Sequence, residues 1–107
     1  MRVYNKLVRD KIPEYIASLG QKSQARILNN QEYRRELYKK LQEEVSELLA
    51  NRANGRREIT NELADILEVL TAISKLEKIS PMQIKKQQDK KKKERGGFSK
   101  RIFLIRS

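Results

Sequence analysis

The 107-residue sequence contains no cysteine and no histidine. Without cysteine there is no disulfide, no thiolate nucleophile, no iron–sulfur cluster and no cysteine-type zinc site. Without histidine the Ser-His-Asp triad is excluded, and with it the usual general base and most zinc and copper sites. Any reactive groups must be carboxylates, Lys, Arg, Tyr, Ser or Thr, and any metal a hard cation bound through oxygen. Aromatic residues number only six and are scattered, which speaks against a module that reads bases by stacking. Apolar runs are only a few residues long, so no segment spans a bilayer. The opening residues Met1 to Lys6 lack the apolar stretch of a signal peptide, and the expectation is a cytoplasmic protein of one small domain over residues 1–107.

Charge is abundant and uneven. Lys and Arg number 25 against 14 Asp and Glu, for a net charge of +11. Residues 85–107 hold ten basic and two acidic side chains, a net of +8, whereas residues 1–84 hold fifteen and twelve, a net of +3. Seven of the acids fall between Glu43 and Glu68. An acidic centre is thus followed by a basic end, which suits nucleic acid, an anionic membrane surface or a phosphorylated small molecule, or is simply a solvated helix face.

The pattern is helical. Lys11 to Gly20 reads as a short helix, with Pro13 in its first turn and Gly20 at its stop. Asn29 and Glu32 have capping-box spacing. They open a long helix over about Gln31–Arg52, on which Leu37, Leu41, Val45 and Leu48 recur at helical period. Asn54-Gly55 breaks it. A second long helix covers about Arg56–Lys78, with the stripe Ile59, Leu63, Ile66, Leu70 and Ile73. Ser80-Pro81 restarts the chain as N-cap and first helical residue, and the polar segment Met82–Arg95 ends at Gly96-Gly97. Ile102 to Ile105 reads as a short strand that could pair with Arg26-Ile27-Leu28. One narrow apolar stripe on each long helix cannot close a core, so the expected fold is all-α. It is a long helical hairpin with shorter helices, whose four-helix-bundle core is completed by oligomerisation.

The two long helices carry matched acids. Glu44-Val45-Ser46-Glu47-Leu48-Leu49 and Glu62-Leu63-Ala64-Asp65-Ile66-Leu67 both read acid, apolar, small, acid, apolar, apolar. An i, i+3 pair lies on one side of a helix. Packed as an antiparallel hairpin, the helices bring four carboxylates together at the edge of the core. Such a group repels itself and resists desolvation, and a bound cation relieves both. With no histidine, Mg²⁺ or Mn²⁺ suits these oxygens. The bland alternative is solvated acids paired with Lys and Arg, with Lys40 placed to pair with Glu44. A carboxylate-held cation beside many Lys and Arg suits a polyphosphate, and the reaction this suggests is hydrolysis of a phosphoanhydride.

Glu43-Glu44-x-x-Glu47 followed by Glu62-x-x-Asp65 resembles the signature of the all-α nucleoside triphosphate pyrophosphohydrolases, which include the MazG-like enzymes and phosphoribosyl-ATP pyrophosphohydrolase. The opening Tyr4-Asn5-Lys6-Leu7-Val8-Arg9-Asp10-Lys11-Ile12-Pro13 and the ending Glu94-Arg95-Gly96-Gly97-Phe98-Ser99-Lys100-Arg101-Ile102 resemble those of small phosphoribosyl-ATP-pyrophosphohydrolase-like proteins. The resemblance implies Mg²⁺-dependent cleavage between the α and β phosphates of a nucleoside triphosphate by a homodimer or homotetramer. It implies Glu44, Glu47, Glu62 and Asp65 as metal ligands, and Glu43 as the acid that orients or deprotonates the attacking water. Lys6, Arg9, Lys11 and Arg95 are candidates for holding phosphates. The Lys90–Lys93 run exceeds what a phosphate site needs and keeps open a nucleic-acid-binding module in the C-terminal segment; a nucleotide-binding relative without turnover is the other alternative.

Overall fold

The computed structural model describes residues 2–107, which form four helices: α1 (Ile12–Ser18), α2 (Asn30–Asn51), α3 (Arg56–Leu76) and α4 (Pro81–Arg95). Each boundary has a local cause. Pro13 sits in the first turn of α1, where its missing N–H is no loss. At α2 the Asn29 side chain accepts from the Glu32 amide while the Glu32 carboxylate accepts from the Asn29 amide, a complete capping box. Ser80 and Gln83 make the same box at α4. Gly55 between α2 and α3 has φ of 100°, and Gly96 after α4 has φ of 81°. A Cβ at either would meet nothing within 4 Å, so it is the backbone torsion and not crowding that calls for glycine.

The short turn after Asn51 lays α2 and α3 side by side as an antiparallel hairpin, the one extensive helix–helix contact among the described residues. The facing seam of α3 is Ile59, Glu62, Ile66, Val69, Ile73 and Leu76, all buried or half-buried. Their alternating spacing of three and four is that of a coiled-coil seam. The seam of α2 runs through Tyr33, Leu37, Lys40, Glu44, Leu48 and Asn51. Leu37, 3% exposed, and Val69 are the only apolar side chains fully buried among the described residues.

Two sequence expectations are corrected. The helical period runs the apolar stripes through Val45, Leu63 and Leu70, yet all three are exposed. On each helix the apolar residues spread over two stripes: the inner seam, and an outer one of Tyr38, Val45 and Leu49 on α2 and Leu63, Leu67 and Leu70 on α3. The strand pairing is absent too, since no strand occurs among the described residues. Ile27 is 95% exposed and Ile102–Ile105 are exposed throughout, so neither segment has a partner to supply ladder hydrogen bonds. α4 and everything after it likewise bury no side chain. The result is long and open: extents of 57 × 35 × 24 Å and a radius of gyration of 18.0 Å, against about 13 Å for a compact domain of this length.

Candidate metal and phosphate site

The inner seam carries carboxylates at core positions. Glu44 lies seven residues after Leu37, and Glu62 seven before Val69, so both fall on the facing line. They are 6% and 5% exposed. Glu47, three residues after Glu44, is turned about 60° to one flank, and Asp65 is displaced from Glu62 by the same angle. In an antiparallel pair these two displacements fall on the same flank. The outer apolar stripes lie roughly 100° from the seam in the other sense. The hairpin therefore has two faces, one bearing acids and the other exposed leucines, valine and tyrosine.

One oxygen each from Glu44, Glu47 and Glu62 lies within 4.8 Å of the others. Burial, reinforced by Glu47 and then Glu44, holds the Glu62 carboxyl above its ordinary value; a hydrogen bond with Glu47 and the nearby Asp65 add to this. Glu44 has one cationic neighbour, Lys40, whose Nζ is 3.4 Å from Oε1. The remaining oxygens, Glu44 Oε2 and Glu62 Oε2, are buried without a hydrogen-bond partner. Unpaired buried carboxylate oxygens are costly. Three convergent acids with two orphaned oxygens fit a hard divalent cation, which would satisfy these lone pairs and cancel the repulsion.

The other expected residues divide. Asp65 is not among the three clustered oxygens; its Oδ1 accepts from Arg9 Nη2 at 2.8 Å. This bond ties the N-terminal segment to α3 across 56 residues of sequence and delivers a guanidinium to the rim of the acid face. Lys6 and Lys11, on the same segment, are exposed and form no ion pair among the described residues; Lys6 stands over the Tyr4 ring, 5.8 Å from its centroid. Glu43 is half-buried one turn before Glu47 and shares with it a shallow depression lined also by Lys39, Gln42 and Ser46. Arg95 ends α4, exposed, with Gly96 capping the helix through its amide to the Lys92 carbonyl at 2.8 Å. The structure brings together Glu44, Glu47, Glu62, Asp65 and Arg9, and leaves Arg95 outside that group. Sequence periodicity sets Glu44 and Glu62 at the border of the apolar stripe, whereas they occupy the seam itself; the seven-residue steps to Leu37 and Val69 are the available signal.

No helix among the described residues is long and apolar enough to cross a membrane. No curated protein and no solved structure matches the chain. The family model for phosphoribosyl-ATP pyrophosphohydrolase matches residues 7–92, a span that includes the Arg9 segment, the capped hairpin and every acid of the cluster. The chain belongs to the phosphoribosyl-ATP pyrophosphohydrolase family, hydrolases that cleave phosphoanhydride bonds in nucleotide-like substrates.

Proposed function

We propose that the protein is a Mg²⁺-dependent nucleoside triphosphate pyrophosphohydrolase that cleaves between the α and β phosphates to give a nucleoside monophosphate and pyrophosphate. The observation that carries this reading is the convergence of Glu44, Glu47 and Glu62 with two buried oxygens lacking partners. These three would hold the cation, with Asp65 joining when Arg9 turns to the substrate. When bound, Mg²⁺ supplies charge neutralisation at the phosphates and a lowered pKa for an attacking water. Mn²⁺ fits the same oxygen set.

The chain's own groups act around that centre. Arg9 is held by Asp65 at the edge of the acids, so its fork can pass from one oxyanion to another without crossing the site. Lys6 and Lys11 lie on the same segment as Arg9 and are free to follow the phosphate chain. Together they offset charge that grows on the leaving pyrophosphate. Glu43, one turn from Glu47, is the acid assigned to orient the water or take its proton. An assembly of two or four copies completes the bundle by covering the outer apolar stripe.

The test is a panel of canonical and modified nucleoside triphosphates with and without Mg²⁺, assayed for pyrophosphate. Metal-dependent release that is abolished in Glu47→Gln with the helical circular dichroism intact is the expected result. Full turnover in Glu47→Gln, or pyrophosphate release without any divalent cation, would remove the acid cluster from the reaction.

A further inference from the structure

Of the 25 Lys and Arg side chains, Lys40 is the only one that is not exposed. It stands on the inner seam of α2, three residues after Leu37 and four before Glu44, a position that packing alone would give to an apolar side chain. Its side chain is 21% exposed, and its Nζ lies 3.4 Å from Glu44 Oε1. A Lys–Glu pair at this spacing is common on helix surfaces, where it contributes little. Here the Glu44 side chain is 8% exposed, so both charges have left most of their water and each is costly without the other. No other cation among the described residues forms an ion pair with Glu44, Glu47 or Glu62. Lys39, the preceding residue, is exposed and only shares the shallow depression with Glu43 and Glu47.

The pair is also one-sided. Lys40 engages Oε1 and leaves Glu44 Oε2 buried with no hydrogen-bond partner. When ionised, Glu44, Glu47 and Glu62 bring three negative charges to one place, while Asp65 is already matched by Arg9. With Lys40 the cluster carries a net charge of minus two, the complement of a single divalent cation.

We infer that Lys40 is a tethered counter-ion of the metal site, a positioning residue that fixes the Glu44 carboxylate, steadies the acids while the cation is absent and limits how tightly the cation is held when present. This rests on the cation site proposed above and gives Lys40 no contact with substrate. One charge produces two effects of opposite sign. In the metal-free chain the ammonium offsets the mutual repulsion of the acids. With the cation in place the same ammonium is a like charge one carboxylate away, and it weakens binding. The site then holds a cation that exchanges, in a hairpin that folds before the cation arrives.

The test is calorimetric titration of the full chain with Mg²⁺, together with Tm in EDTA, for wild type, Lys40→Met, Lys40→Gln and Lys40→Arg. Lys40→Met keeps the apolar stem and removes the charge. It should bind Mg²⁺ about tenfold more tightly, while its Tm in EDTA falls by about 4–8 °C. Lys40→Gln keeps an N–H donor without the charge and should follow Lys40→Met, and it carries the same reading if the methionine variant does not fold. Lys40→Arg should return both quantities to near wild type. A role confined to packing lowers Tm and leaves the affinity alone. Mg²⁺ binding that is unchanged or weaker in the neutral variants, or an unchanged Tm in EDTA, therefore overturns the inference while leaving the cation site in place. A wild type that binds no Mg²⁺ overturns the cation site itself, and this inference with it.

Discussion

Glu62→Gln should change sign between the metal-free and the metal-loaded protein. In the metal-free state Glu62 is buried beside Glu44 and Glu47 and pays for burial and repulsion together, so a neutral amide of the same shape leaves stability unchanged or higher. With Mg²⁺ the balance inverts, because the amide removes one of three charged ligands. At free Mg²⁺ a hundred times its dissociation constant, binding adds about 2.7 kcal/mol to wild-type stability. At about 4 °C per kcal/mol for a chain of this size, that raises Tm by roughly 10 °C. Loss of a direct ligand weakens binding by about a hundredfold, the upper end of what supporting residues alone produce. The variant then gains about 0.4 kcal/mol, or roughly 2 °C, at the same Mg²⁺. Differential scanning calorimetry with EDTA and across a Mg²⁺ titration reads both numbers. An equal rise of Tm in the two proteins, or a large loss of metal-free stability in Glu62→Gln, would refute the assignment of this carboxylate to a cation site.

Other outcomes follow from the same geometry. Because the Glu62 carboxyl is raised, its contribution to metal-free stability is full below the unfolded value of about 4.5. That contribution is lost as pH rises through the folded value, so urea midpoints in EDTA should fall over this window and flatten in Glu62→Gln. Glu32 runs the other way: its bond to Arg26 and the Asn29 amide lower it to about 2. Its stabilisation is present above 4.5 and is lost as pH falls through about 2, which acid titration of Glu32→Gln against wild type checks. Asn29→Ala should cost about 1 kcal/mol in urea unfolding by removing the cap of α2, whereas Ser80→Ala should lower helical signal with little change in midpoint, since α4 buries none of its side chains. Leu37→Ala should cost about 2–4 kcal/mol, as Leu37 is one of two fully buried apolar side chains among the described residues; a loss under about 0.5 kcal/mol would show that the hairpin seam is not the core.

The helices were legible because their ends are chemical. Asn29 with Glu32, Gly55, and Ser80-Pro81 with Gln83 are short-range signals that fix boundaries without tertiary information, and the observed limits fall within a residue or two of those expected. The acid cluster was legible as a paired pattern across the hairpin, and three of its four acids converge. What was hidden depends on distant partners. The bond from Arg9 to Asp65 joins segments 56 residues apart, and neither residue's neighbourhood announces it. The division of apolar residues into an inner and an outer stripe was obscured because both have helical period; only the packing of α2 on α3 chooses between them. Ile102, Phe103 and Ile105 are residue types that favour a strand only when another backbone is there to pair with them.

The carboxylate layer also divides the hairpin along its length. On one side lie Leu37, Val69, Ile73 and Leu76; on the other, between the acids and Gly55, the seam holds only Leu48, Asn51 and Ile59. That short end has little to hold it when the acids repel. Without a divalent cation its amides should exchange with solvent as a separate, weaker unit, while those around Leu37 and Val69 exchange only on global unfolding. Cation binding would merge the two, so that the exchange profile loses its step at Glu44 and Glu62. The chain would then behave as one cooperative rod where before it had a loose tip.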